Sequence, residues 1–96
     1  MSKLYDKYRK LKTSENHTPN TLYLFKTGLF FIFIDEDAKI ISELLNLKLC
    51  NLNETIVKCG FPCNSLQKYL NLLKSTPYNI SIYIQTILNL SIFFYL

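Results

Sequence analysis

Residues 21–39 read TLYLFKTGLFFIFIDEDAK, and the order of residue types in this stretch decides the fold. An apolar run closes on Lys26-Thr27-Gly28, restarts as Leu29-Phe30-Phe31-Ile32-Phe33-Ile34, and stops at Asp35-Glu36-Asp37-Ala38. Short runs rich in aromatic and β-branched residues, bounded by turn formers, are strands. Gly28 carries no side-chain penalty at positive φ, so the two runs can meet in a tight connection or a bulge. The acidic triplet then opens a helix: Asp35 or Asp37 can accept bonds from its free amides, and their charge suits its positive end. Ala38, Ile41, Leu44 and Leu45 supply the buried face of that helix.

Upstream, Leu4, Tyr8 and Leu11 recur at helical spacing, with lysines and Arg9 on the other faces, which predicts a first helix over residues 3–14. Asn16 to Asn20, with His17 and Pro19, is a loop by composition. Downstream, Leu47–Asn51 and Thr55–Cys59 read as short strands around an Asn-rich turn. After Gly60-Phe61-Pro62, Asn64 or Ser65 can cap a helix whose Leu66, Tyr69, Leu70 and Leu73 share one face, and Thr76-Pro77 ends it.

The stretch from Tyr78 to Leu96 has no charged residue and is long enough to span a membrane. Asn79, Ser81, Gln85, Asn89 and Ser91 interrupt it, however, and Ile80, Ile82 and Ile84 alternate with smaller or polar neighbours. That period is a strand's, so the tail reads as two strands, the second within residues 86–96. The chain as a whole reads as a single α/β (α+β) domain, residues 1–96, with a mixed sheet of about six strands flanked by about three helices. Neither an internal repeat nor a low-complexity linker interrupts it.

The chain has 96 residues and a formal charge of +4, a globular balance that excludes both a disordered and a supercharged protein. The excess charge lies at one end. Residues 1–26 hold Lys3, Lys7, Arg9, Lys10, Lys12 and Lys26 against Asp6 and Glu15, while the remainder is balanced. Such a cluster is either a solvated helix face or a patch that meets phosphate. Cys50, Cys59 and Cys63 are odd in number and no basic-then-apolar leader opens the chain, which suits a reduced, cytoplasmic compartment. Cys59 and Cys63 with His17 do not make the four-ligand set of a structural zinc site, so no metal and no cofactor is expected. The two glycines cannot build a phosphate loop, and nothing in the sequence orients His17 toward Cys59 as a nucleophile pair.

Several local signatures resemble one family. Tyr8-Arg9-Lys10-Leu11-Lys12 is similar to a Tyr-x-x-Leu/Ile-Lys on a first helix. Leu24 to Ile32 is similar to Leu-Phe-x-x-x-Gly-x-Phe-Tyr-Glu, with two residues rather than three between Phe25 and Gly28, and Asp37-Ala38 stands where an Asp-Ala follows. Gly60-Phe61-Pro62 matches a Gly-Ile-Pro step, Tyr69-Leu70 a Tyr-Leu of the third helix, and Gln85 the end of a Glu-Gln strand. In this order they resemble the N-terminal mismatch-recognition domain of the MutS DNA mismatch repair family, over roughly residues 5–85.

The resemblance implies a DNA-binding module whose partner is duplex DNA with a mismatch or small loop, alongside other MutS-like domains or subunits and away from membranes. It implies no enzyme here, because the ATP-binding ATPase of complete family members lies outside this chain. In that family the Phe of Phe-x-Glu stacks at the mispaired base from the minor groove and the Glu bonds the displaced base. Those positions are Phe30 and Ile32, so Phe30 is the candidate wedge and Ile32 marks a lost base acceptor. Lys26, Lys10 and Lys12 are the candidate phosphate contacts. Leu29 replaces an acidic residue, Asn51-Leu52 a basic pair, and Ile84 the Glu before Gln85.

Three other readings stand beside this one. Six consecutive apolar residues also describe a strand buried on both faces rather than a wedge. The missing Glu suits a protein-interaction or scaffolding domain that keeps the fold without reading DNA. The apolar tail suits a truncated remnant, which would self-associate.

Overall fold

A computed structural model describes residues 3–85 and 91–95. The elements run α1 (Lys3–Lys12), β1 (Thr21–Thr27), β2 (Phe30–Ile34), α2 (Asp35–Leu45), β3 (Cys50–Asn51), β4 (Val57–Pro62), a 3-10 turn (Cys63–Ser65), α3 (Leu66–Leu73), β5 (Asn79–Gln85) and β6 (Ser91–Tyr95). The strands form one mixed sheet in the order β3-β4-β2-β1-β5-β6, in which β1 and β5 are parallel and the other neighbours antiparallel. The tail thus supplies two strands, and residues 86–90 and 96 lie outside the described part.

The near-continuous apolar runs of β1 and β2 have a direct cause: both faces of these central strands are covered. Leu22, Leu24, Phe31 and Phe33 point to one side and pack with Ala38 and Ile41 of α2, Phe61 of β4, Leu70 and Leu73 of α3, and Ile80 and Ile82 of β5. Tyr23, Phe25, Ile32 and Ile34 point to the other side and pack with Tyr8 of α1. Two helices therefore cover one face and one helix covers the other. Among the described residues no helix is long and apolar enough to cross a membrane.

Two expectations for α2 need correction. Leu44 is 49% exposed rather than part of the buried face, because the stripe facing the sheet runs through Ala38 and Ile41 with Ile40 and Leu45 at its margins. Neither Asp35 nor Asp37 caps the helix through its side chain. Asp35 instead makes the sharp strand-to-helix turn with φ 54°, a conformation that Asp tolerates better than most residues. At the other end Asn46 takes the left-handed position, and its amide bonds the carbonyl of Ser42.

Asp37 is used differently. Its carboxylate is fully buried, accepts the Tyr23 amide at 2.8 Å and the Tyr8 hydroxyl at 3.3 Å, and pairs with the Lys12 ammonium. One side chain thereby ties α2 to β1 and to two positions one turn apart on α1. Burial raises the Asp37 pKa above the usual carboxylate value, against the opposing pull of Lys12 and of the Tyr23 and Tyr8 donors. The Tyr8 hydroxyl is likewise pushed up by burial and by the neighbouring carboxylate.

Removing one partner of a buried pair leaves the others unsatisfied, at a cost of about 3–5 kcal/mol. Lys12 keeps some access to water, so Asp37→Ala is expected at the lower end, a loss of about 3 kcal/mol in urea denaturation. Because the folded carboxyl binds its proton more tightly than the unfolded one, the contribution of Asp37 to stability falls as pH rises from the ordinary carboxylate pKa through the raised one. Asp37→Asn should abolish that slope, which urea midpoints measured across mildly acidic pH would show.

Candidate nucleic-acid interface

The β1–β2 connection is the shortest a hairpin allows. Thr27 pairs with Phe30 across a two-residue turn, Gly28 has φ 60°, and Leu29 stays out of the left-handed region. This is the type II′ pattern, whose twist matches that of the strands and which requires Gly at its first position. The turn lifts Leu29 into solvent, 81% exposed, and leaves Phe30 50% exposed, whereas Phe31 to Ile34 are all buried. The buried-strand reading holds from Phe31 onward, where the run is core, and its first two residues form an exposed apolar tip.

Strand alternation puts Phe30 on the same face as Ile32 and Ile34. On the neighbouring strand, Pro62, Gly60 and Lys58 stand opposite these three, and Cys50 of β3 stands opposite Lys58. A Cβ on Gly60 would collide with the Phe31 carbonyl oxygen and lie 2.8 Å from Ile32 Cγ2, so only Gly lets β4 approach β2 here. The result is a groove of about 480 Å³ whose lining includes Phe30, Ile32, Gly60, Cys50, Lys48 and Lys58. Among the described residues, neither Lys48 nor Lys58 takes part in an ion pair.

The fold brings Phe30 and Ile32 together in the groove; none of the three candidate lysines lines it, although Lys26 stands opposite Phe31 on the neighbouring strand. Ile32 is 6% exposed and forms part of the groove floor. Lys26 is exposed and lines a small cleft with Lys7, Phe25 and Tyr83. Lys10 is exposed on α1. The Lys12 side chain is only 18% exposed, with its ammonium on Asp37 and 5.6 and 5.7 Å from the Tyr8 and Tyr23 ring centres. Sequence reasoning missed Lys48 and Lys58, because they sit in the charge-balanced part of the chain. The available signal was that Lys58 shares the strand phase of Gly60; the pairing of that strand with Phe30 was not available.

Cys59 and His17 do not meet. Cys59 lies in the core beneath α2, where its thiol donates to the Ala38 carbonyl at 3.4 Å and burial pushes its pKa up to about 12. His17 lies against the opposite face of the sheet, its Nδ1 2.8 Å from the Tyr23 hydroxyl, and burial with the nearby Lys12 charge lowers its pKa. Among the described residues no three His, Cys, Asp or Glu side chains converge as a metal site.

Comparison with known proteins bears directly on this geometry. The family model described as MutS domain I matches residues 3–89. The chain belongs to the MutS domain I family. It is 33% identical to the DNA mismatch repair protein MutS of Leptospira interrogans over 64 residues, covering 67% of this chain and 8% of the relative. The MutS of Salinibacter ruber is 35% identical over 71 residues, covering 70% of this chain and 8% of the relative. The MutS of Halothermothrix orenii is 29% identical over 86 residues, covering 85% and 10% respectively. The chain thus spans a tenth or less of the length of these relatives. Within this MutS domain I, the Phe30 hairpin and the Gly60-Phe61-Pro62 step both border the groove.

The cysteines provide a check on the arrangement. Cys50 is exposed in the groove and Cys59 is buried. Iodoacetamide followed by mass spectrometry should label Cys50 readily and leave Cys59 unmodified until denaturant is added; labelling of Cys59 in the folded protein would contradict the β4 placement.

Proposed function

We propose that this MutS domain I is a DNA-binding module in mismatch repair that meets mismatched or distorted duplex through Phe30. The observation that carries the reading is the position of that ring: half exposed at the end of a two-residue hairpin whose following four residues are buried. A wedge must not bend when pressed between bases, and burial of Phe31 to Ile34 fixes the root of this one. Apolar wedges enter the minor groove at steps where unstacking is easy, and a mispaired step is easier to unstack than a paired one. Lys10 and Lys26, exposed on α1 and β1, approach phosphate and make binding sensitive to salt. Lys12 acts mainly through Asp37, which holds α1 against the sheet.

The reading assigns the domain no reaction and no cofactor, and it carries a cytoplasmic location with it. Ile32 offers no acceptor for a displaced base, and a good base contact is worth about 1–3 kcal/mol of discrimination. Selection by this domain therefore rests on how readily a step deforms. A second reading is favoured by Leu29, which together with Phe30 makes an apolar tip suited to another protein, such as a further MutS-type domain or subunit.

Stacking of a base on an aromatic ring is worth about 1–3 kcal/mol by alanine substitution. Phe30→Ala should weaken binding to a labelled mismatched duplex at low salt by that amount, with a smaller change on matched duplex. Unchanged affinity for the mismatched duplex would remove the wedge role. Absence of salt-dependent binding to either duplex would favour the protein-interaction reading.

A further inference from the structure

The two edges of the sheet are built differently. At one edge β3 is two residues long, Cys50–Asn51, and covers only Val57 and Lys58 of β4. Lys48 and Glu54 flank that strand, and β4 itself ends on Pro62, which has no amide to donate. Short strands, charges and proline keep an edge from pairing with another chain. At the other edge β6 pairs with β5 along all five of its residues, Ser91 to Tyr95, and no described strand lies beyond it. Residues 78–96 contain no charge, no proline and no glycine, so those guards are missing there. An antiparallel ladder leaves alternate amides and carbonyls of its outermost strand pointing away from the sheet, and each is a strong hydrogen-bonding group.

We propose that β6 pairs antiparallel with β6 of a second copy of this chain, joining two sheets edge to edge about a two-fold axis. The register follows from the length of the strand. Five residues overlap in full only when Phe93 stands opposite Phe93, which sets Ile92 opposite Phe94 and Ser91 opposite Tyr95. Aromatic–aromatic and aromatic–β-branched pairs are among those that stabilise neighbouring antiparallel strands. No like charges meet in this arrangement, because the excess charge lies in residues 1–26 and β5 separates β1 from β6. A charged partner strand, by contrast, would find no counter-charge on residues 78–96. The two-fold also closes the assembly: it uses the β6 edge of both copies and leaves only the guarded β3 and β4 edges, so growth stops at two. The strand lies beyond residue 89, where the match to MutS domain I ends, and at the opposite edge of the sheet from the Phe30 groove. The pairing is therefore independent of the DNA-binding reading.

Sedimentation equilibrium of the 96-residue chain without DNA should give twice 11.3 kDa at high concentration and fall toward the single mass on dilution. Phe93→Lys sets two ammonium groups opposite each other at the two-fold and should give the single mass, as should Phe93→Glu. Mixing the two variants should restore the double mass, a rescue that misfolded chains would not show. Oxidation in a Cys50→Ser, Cys63→Ser background reads the register. Phe93→Cys should cross-link to its own copy, since directly opposed antiparallel Cα atoms lie about 4.5–5.5 Å apart, within disulfide reach. Ser91→Cys should not cross-link alone, because its own copy lies four residues along the strand, about 14 Å away, but should do so when mixed with Tyr95→Cys. A single mass at every concentration, a mass that rises past two copies, or a dimer that both charged variants retain overturns the proposal. Where circular dichroism shows the charged variants unfolded, the cysteines decide: cross-linking of Ser91→Cys alone, or none by Phe93→Cys, overturns it as well.

Discussion

The carboxylate of Asp37 joins the parts of this domain that the chain makes separately. It is held by an amide of β1, a hydroxyl of α1 and an ammonium of α1, while its own backbone belongs to α2. Apolar contact would let α1 slide or rotate over Tyr23, Phe25, Ile32 and Ile34, since dispersion has little directional preference. A buried carboxylate with three donors has one satisfactory arrangement, because each donor left unmet costs desolvation free energy. The raised pKa records the burial cost that the donors only partly offset. Such a group adds orientation more than net stability.

That orientation matters to the candidate interface because β1 and β2 are covered on both faces. The same two strands that carry the core also carry the exposed tip, and the change from one role to the other takes place between Phe30 and Phe31. A II′ turn at Gly28 holds the tip close to the sheet, and the α1 cluster secures the face on which Phe30 lies. Rigidity at the tip is thus supplied by packing behind it. On the open side, the bare Gly60 position and the lysines of Leu47–Asn51 and β4 give the groove its shape and its charge.

Much of the fold was legible because the signals were local. Alternation and turn formers located β1, β2 and the break at Gly28. The three-and-four spacing located all three helices, with Leu70 and Leu73 on the buried side as expected. The misreadings came from side chains whose partners are distant in sequence. Asp37 looked like a helix cap, since acidic residues at a helix start usually are, but its partners are Tyr8, Lys12 and Tyr23. Leu44 looked like core, since spacing defines a stripe only to within one residue at its margin. Lys12 looked like a free cation on a basic helix, and its partner is 25 residues further on.

The interface divides in the same way. The amino-acid sequence by itself determined that the chain makes a mixed sheet with helices, that Gly28 turns a hairpin, and that an aromatic residue follows the turn with no carboxylate two positions later. These follow from backbone preferences and from the period of apolar residues, which act over a few positions. Only the tertiary structure decided that Phe30 is exposed while Phe31 is buried, that Lys12 turns inward, and that Lys48 and Lys58 stand in the groove beside Phe30. Strand order and register set those outcomes, and they depend on which surfaces pack together rather than on any one segment's preference.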